Sequence, residues 1–144
     1  MRPIGRLFIA AVMLVVIAGS GSSAEGTGAE RDYTDPGQLA TLVAGREEPY
    51  ILVDVRTARE YLAGHIPTAV NIPYDTIAAN PPTPDKAALI IVYCGSGVRS
   101  AKAAAALAGI GYSRVVDFGA VSRWEGDLAE SAPEAPLTPS PGLP

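Results

Sequence analysis

With 144 residues, 48% of them hydrophobic, the chain can build one small domain with a real core and is too short for two. Its net charge of −4 leaves no basic patch to neutralise phosphates and argues against nucleic acid as a partner. One histidine and one cysteine argue against a protein-held metal centre.

The N-terminus reads as a signal peptide over residues 1–24. Arg2 and Arg6 supply a positive start, Leu7 to Ala18 is an unbroken apolar run, and Ser22-Ser23-Ala24 puts small residues at the cleavage positions. The run is short of the roughly 20 apolar residues that span a bilayer, and no cysteine is placed to take a lipid there. Cleavage after Ala24 and export, to the periplasm where an outer membrane exists, are therefore expected, with no stable membrane anchor; retention as an uncleaved anchor is the alternative. Cleavage would remove two of the eleven basic residues and none of the fifteen acidic ones, leaving −6.

Residues 25–34 are polar and Gly-containing and are expected to form a flexible leader. Asp35-Pro36-Gly37-Gln38 opens a helix: Asp35 caps, Pro36 suits the first position, and Gln38 stands where a capping box needs it. Leu39, Leu42 and Val43 form one apolar face, and Gly45 ends it. Tyr50 to Val55 is a buried strand. Thr57 and Glu60 make a second capping box, opening a short helix that stops at Gly64. Ala69 to Ile72 is a brief strand, Tyr74 to Ala79 a helical turn, and Asn80 to Pro84 a loop. Ala88 to Tyr93 is apolar throughout, as a strand covered on both faces should be. Cys94 to Val98 is too rich in glycine to extend it. From Arg99 the chain is almost pure helix former up to Gly109. Val115 to Phe118 is a further strand, and Gly119 turns the chain into a short helix carrying Trp124. Five prolines from Pro133 onward make residues 131–144 a disordered or polyproline tail. Alternating strands and helices over residues 35–130 give a single α/β domain, mainly a parallel sheet flanked by helices.

The chemistry concentrates in Cys94-Gly95-Ser96-Gly97-Val98-Arg99-Ser100, between the most buried strand and the strongest helix. Sites in open α/β sheets gather at the carboxyl ends of strands. Glycines let successive N–H groups turn inward, and such a nest beside a helix N-terminus binds anions. A cysteine at its entrance has its thiolate favoured by the same N–H groups, and Arg99 adds a permanent cation. The alternative is a buried filler cysteine before an ordinary turn; the glycine pair, the arginine and the helix start together weigh against it.

This loop resembles the active-site loop of the rhodanese family: a cysteine, four residues, then often an arginine and a small or hydroxyl residue. Asp54-Val55-Arg56 through Glu60-Tyr61 is similar to the family's first strand and following helix. Gly64-His65-Ile66-Pro67, Ala69 and Asn71-Ile72-Pro73 resemble its second signature, and Gly119 followed by Trp124 a segment near its end. The resemblance spans about Asp35 to Leu128. It implies that Cys94 takes a sulfane sulfur from a small-molecule donor such as thiosulfate or mercaptopyruvate and holds it as a persulfide. The N–H groups of Gly95, Ser96, Gly97, Val98, Arg99 and Ser100 would bind the anionic sulfur, the Ser100 hydroxyl adding a donor. No cofactor is implied. With no second cysteine, the acceptor, whether cyanide, a thiol or a protein, comes from outside.

The loop also departs from the family. Gly95 stands where many members carry a basic residue. Cys94 to Val98 resembles the mercaptopyruvate-using branch, but Arg99 replaces that branch's usual threonine. Thr68 replaces a usual glycine and Ala120 the second of a glycine pair; both read as structural tolerance. His65 reads as structural, Asp54 as a loop brace, Arg56, Arg59 and Glu60 as a surface or loop-bracing ion-pair set with Arg59 a candidate to face the pocket, and Trp124 as a core or groove aromatic. Two rivals remain. A cysteine phosphatase or arsenate reductase needs five residues between cysteine and arginine, and here there are four. A binding module without chemistry would not need both Cys94 and Arg99.

Overall fold

The computed structural model describes residues 31–45 and 47–131. The expected signal segment, the leader as far as residue 30, and the tail from residue 132 lie outside the described residues.

Helix α1 (Pro36–Gly45) opens the domain. Asp35 caps it by accepting from the Gln38 N–H at 2.9 Å. The expected reciprocal bond goes elsewhere: Gln38 Oε1 accepts from the Asp32 N–H at 2.8 Å, because the chain before the cap curls back over the helix start. Within residues 31–34 of the expected leader, Tyr33 is buried while Arg31, Asp32 and Thr34 are exposed. Tyr33 is 4% exposed, and its hydroxyl donates to Glu48 at 2.6 Å. An aromatic ring finding an apolar seat outweighs the polarity of its neighbours.

Four parallel strands, β1 (Ile51–Asp54), β2 (Val70–Asn71), β3 (Leu89–Cys94) and β4 (Arg114–Ala120), form one sheet in the order β2-β1-β3-β4. β3 lies inside, with all six residues buried. The two-residue alternation sorts its side chains. Leu89, Ile91 and Tyr93 face the cluster holding Tyr33, Leu39 and Leu42; Ile90, Val92 and Cys94 face the cluster holding Ala103 and Leu107. Cys94 therefore emerges on the face covered by helix α3 (Val98–Gly109). Both boundaries at this loop differ from the sequence expectation. β3 runs through Cys94, and α3 begins at Val98, because Gly97 in a left-handed conformation (φ 92°) turns strand into helix within three residues.

β4 is longer than expected and bulges. Its pairing with β3 steps from Val92–Asp117 to Tyr93–Gly119, with Phe118 the extra residue. Gly119 supplies the positive φ of 90° that the irregularity needs. The bulge brings the end of β4 level with Cys94, which pairs with Ala120. The expected helix after Gly119 is a single 3-10 turn, Val121–Arg123, and Trp124 follows it, half-buried against the core.

Between β1 and β2 lies helix α2 (Ala58–Leu62), whose capping box is closed as expected: Thr57 Oγ1 accepts from the Glu60 N–H, and the Glu60 carboxylate accepts from the Thr57 N–H. The chain then reaches Thr68, the one described non-glycine residue with positive φ (72°), where the family resemblance expects glycine. The Tyr50 hydroxyl sits 2.8 Å from Thr68 Oγ1 and helps hold it there.

Candidate active site

Cys94 closes β3 at the carboxyl edge of the sheet, where loop 95–97 folds over it. The Gly97 N–H donates to Cys94 Sγ at 3.0 Å. Burial pushes the thiol up. Hydrogen bonds from the Ser100 hydroxyl and from the N–H groups of Ser100, Gly97 and Ser96 outweigh it and bring Cys94 below the ordinary thiol value. Ser100 is fully buried, and its hydroxyl also lies 3.0 Å from the Gly97 carbonyl and 3.5 Å from that of Gly119. A sulfur that gains charge becomes the better acceptor of that proton. These donors favour the thiolate over the thiol at the start of α3, an arrangement suited to a nucleophile that carries an anion.

The structure brings together most of the residues expected here, in differing roles. Ser96 is exposed at the rim. Val98 is 60% exposed, so it contributes its place in the first turn of α3 and no side-chain contact with the sulfur. Gly95 is half-buried beneath the Arg99 guanidinium. Arg99 is not a free cation: its Nη1 and Nη2 donate to Glu60 Oε2 and Oε1 at 2.9 and 2.8 Å. The hydrogen bond from Arg99 is the main reason Glu60 is held well below the usual carboxylate range, and the same bond raises Arg99.

The sequence groups Glu60 with Arg56 and Arg59 as one ion-pair set at the surface or bracing the loop. The set divides. Arg56 is buried at 8% exposure and is held by Asp54 through Nε (3.0 Å) and Nη2 (2.6 Å), with Nη2 also donating to the Gly64 carbonyl at 2.7 Å. Arg59 is exposed. Of the three, Glu60 alone reaches the Cys94 loop. No sequence signal links it to Arg99, since the partners are 39 positions apart and the capping box already accounts for a glutamate there. Asp54 braces as expected. His65 serves the fold: it bridges to Ala129 in backbone pairing, stacks on Tyr61 at 3.9 Å, and sets Nδ1 3.0 Å from the Tyr61 carbonyl. Tyr93 accepts the Ile66 N–H on its hydroxyl at 3.0 Å, and burial keeps that hydroxyl protonated.

A cleft of about 340 Å³, lined by residues 55–58, residues 73–76 and Arg99, opens beside the loop at the carboxyl ends of β1 and β2. A larger one of about 520 Å³ runs along Glu47 to Leu52, Thr68 and Val70 and holds no nucleophile. Of these two, the smaller adjoins the Cys94 loop through Arg99.

The model of the rhodanese-like domain matches residues 35–127. The chain belongs to the rhodanese-like family. A thiosulfate:glutathione sulfurtransferase of Saccharomyces cerevisiae is 35% identical over 97 aligned residues, covering 57% of this chain and 70% of the relative. A sulfurtransferase of Allochromatium vinosum is 37% identical over 78 residues, covering 54% and 73%. Among solved structures, a rhodanese-like domain protein from Staphylococcus aureus superposes with a TM-score of 0.58 at 34% identity, over 67% of this chain and 95% of that one. A rhodanese with anions from E. coli superposes with a TM-score of 0.51 at 29% identity, over 57% and 99%. The family, the single α/β domain and the enzyme class agree with the sequence resemblance: this is a rhodanese-type sulfurtransferase.

Proposed function

We propose that the enzyme moves sulfane sulfur through a persulfide on Cys94, with thiosulfate as donor and an external thiol or cyanide as acceptor. The observation that carries this reading is Cys94 Sγ held 3.0 Å from the Gly97 N–H within the anion-binding loop. In the first half-reaction the Cys94 thiolate attacks the outer sulfur of thiosulfate. The S–S bond breaks, sulfite leaves with the bonding pair, and the new terminal sulfur carries the negative charge. The N–H groups of Gly95 to Ser100 are the donors for that sulfur, and those of Ser96, Gly97 and Ser100 already turn to Cys94 before it arrives. In the second half-reaction the acceptor attacks the terminal sulfur. It departs as thiocyanate or a persulfide, and the Cys94 thiolate returns. Atoms and charge balance with no cofactor. The name of the Saccharomyces cerevisiae relative, which specifies thiosulfate, supports this donor over mercaptopyruvate. The loop of four residues between Cys94 and Arg99 favours a single sulfur over a tetrahedral oxyanion.

Two measurements test this reading. Intact mass after incubation with thiosulfate should show one added sulfur, removed by cyanide with release of thiocyanate. An unchanged mass with active thiosulfate present would overturn it. The acceptor is proposed to be met outside the cytoplasm, since residues 1–24 have the order of an export signal. N-terminal sequencing of the extracytoplasmic protein should begin at Glu25, and full-length protein confined to the cytosol would reject export.

A further inference from the structure

The sulfur chemistry above has no task for Glu60, yet its carboxylate accepts four hydrogen bonds beside the loop. Oε2 takes the Thr57 N–H at 3.0 Å, the Thr57 hydroxyl at 2.8 Å and Arg99 Nη1 at 2.9 Å, and Oε1 takes Arg99 Nη2 at 2.8 Å. The pair lies across Gly95: a Cβ built there would be 3.2 Å from Arg99 Nη2 and 3.9 Å from Glu60 Oε1. The one cation within the loop thus carries a bound carboxylate at the first residue after the nucleophile.

We propose that Glu60 is a specificity-determining residue: by holding Arg99 across Gly95 it cancels the cation and makes the mouth of the loop nearly neutral toward incoming donors. The proposal rests on Cys94 taking sulfane sulfur from an anionic donor. Its physical content is the scaling of Coulomb energy with donor charge. A net charge at the mouth acts on a dianion twice as strongly as on a monoanion, whereas a closed ion pair acts only as a dipole. The hydrogen bonds keep both members charged, Glu60 being held below and Arg99 above their ordinary values. The two side chains are 38% and 29% exposed, so water and salt moderate the effect.

The test compares thiosulfate, a dianion, with an arenethiosulfonate, a monoanion. Both deliver a sulfane sulfur to a thiolate, releasing sulfite or a sulfinate. Loading of wild type, Glu60→Gln, Arg99→Leu and the double variant is followed at low ionic strength. Glutamine also closes a capping box, so Glu60→Gln keeps the start of α2. In Glu60→Gln, kcat/KM should rise roughly tenfold for thiosulfate and roughly threefold for the arenethiosulfonate, mainly through KM. Arg99→Leu, which leaves the carboxylate uncompensated, should lower both in the same unequal proportion. The double variant should return the ratio between donors to its wild-type value. Equal changes for both donors in Glu60→Gln would reduce Glu60 to a brace and overturn the proposal. A double variant whose ratio matches Arg99→Leu would also overturn it, since Arg99 would then bind the donor directly. Wild type that takes sulfur from neither donor would remove the sulfur-transfer reading, and this proposal with it. Wild type that loads while the ratio stays fixed across all four proteins would remove only the role of Glu60.

Discussion

A buried thiol would ordinarily resist ionisation, and at Cys94 a handful of donors reverses that. Their combined effect lowers the thiol, so the thiolate fraction at neutral pH is larger than for a free cysteine, and it grows as pH rises. The alkylation rate of Cys94 with a small reagent such as iodoacetamide should therefore follow a titration centred below the ordinary thiol value. A midpoint at or above that value would contradict the proposed nest. Ser100→Ala removes the strongest of the lowering interactions. It should slow both alkylation and thiosulfate loading at neutral pH by about 2- to 10-fold, the scale of one hydrogen bond of roughly 0.5–1.5 kcal/mol. Cys94→Ser tests the nucleophile itself. Serine is nearly isosteric but ionises far less readily and cannot form a persulfide, so thiocyanate production should vanish while thermal unfolding is little changed. Turnover near wild type would sink the mechanism.

The loop works because one residue, Gly97, converts a strand into a helix. Its φ of 92° is open to glycine, and an added Cβ would find only ordinary contact, 3.7 Å from Gly119 Cα. Gly97→Ala should thus destabilise through backbone strain, by about 1–2 kcal/mol. It should also impair sulfur loading more than stability, because relaxing φ turns the N–H away from the sulfur. Thr68 is the reverse experiment. A β-branched residue at φ 72° is strained, and glycine there would relieve about 1–2 kcal/mol. The lost contact with Tyr50 and the looser unfolded chain offset part of that gain, so urea unfolding of Thr68→Gly should show a net stabilisation of about 0.5–1 kcal/mol. A net destabilisation would mean that the Tyr50 contact outweighs the strain. At this scale the sequence was informative wherever the cause is local. The Thr57–Glu60 box, the all-apolar β3 and the glycine-rich loop each follow from neighbours within a few residues. The bulge at Phe118 and the diversion of Gln38 to Asp32 were not legible, because each depends on what a neighbouring strand or the preceding chain supplies.

Across the whole molecule, the long-range polar pairs escape a reading of sequence in the same way. The unbroken apolar run of β3 told that the strand would be buried, but not that Tyr33 would join its core or that Glu60 would close on Arg99. Tyr33 donates to Glu48, which also accepts from Arg114 at 3.0 Å, tying the entry to α1, the approach to β1 and the start of β4. The Tyr33 hydroxyl is the main reason Glu48 lies below the usual carboxylate range, as Arg99 is for Glu60. Both folded-state values are depressed. Their stabilisation is therefore complete above the unfolded value near 4.5 and is lost progressively as pH falls below it toward the folded-state values. Glu60→Gln cannot titrate, and Tyr33→Phe leaves Glu48 closer to its unfolded behaviour. Each variant should be less stable than wild type at pH 7. Each should lose less on acidification, so that urea-unfolding free energies converge as pH drops from about 5 to 3. Parallel curves over that range would show that these carboxylates titrate alike in the folded and unfolded chain, and that the two pairs do not couple the fold to pH.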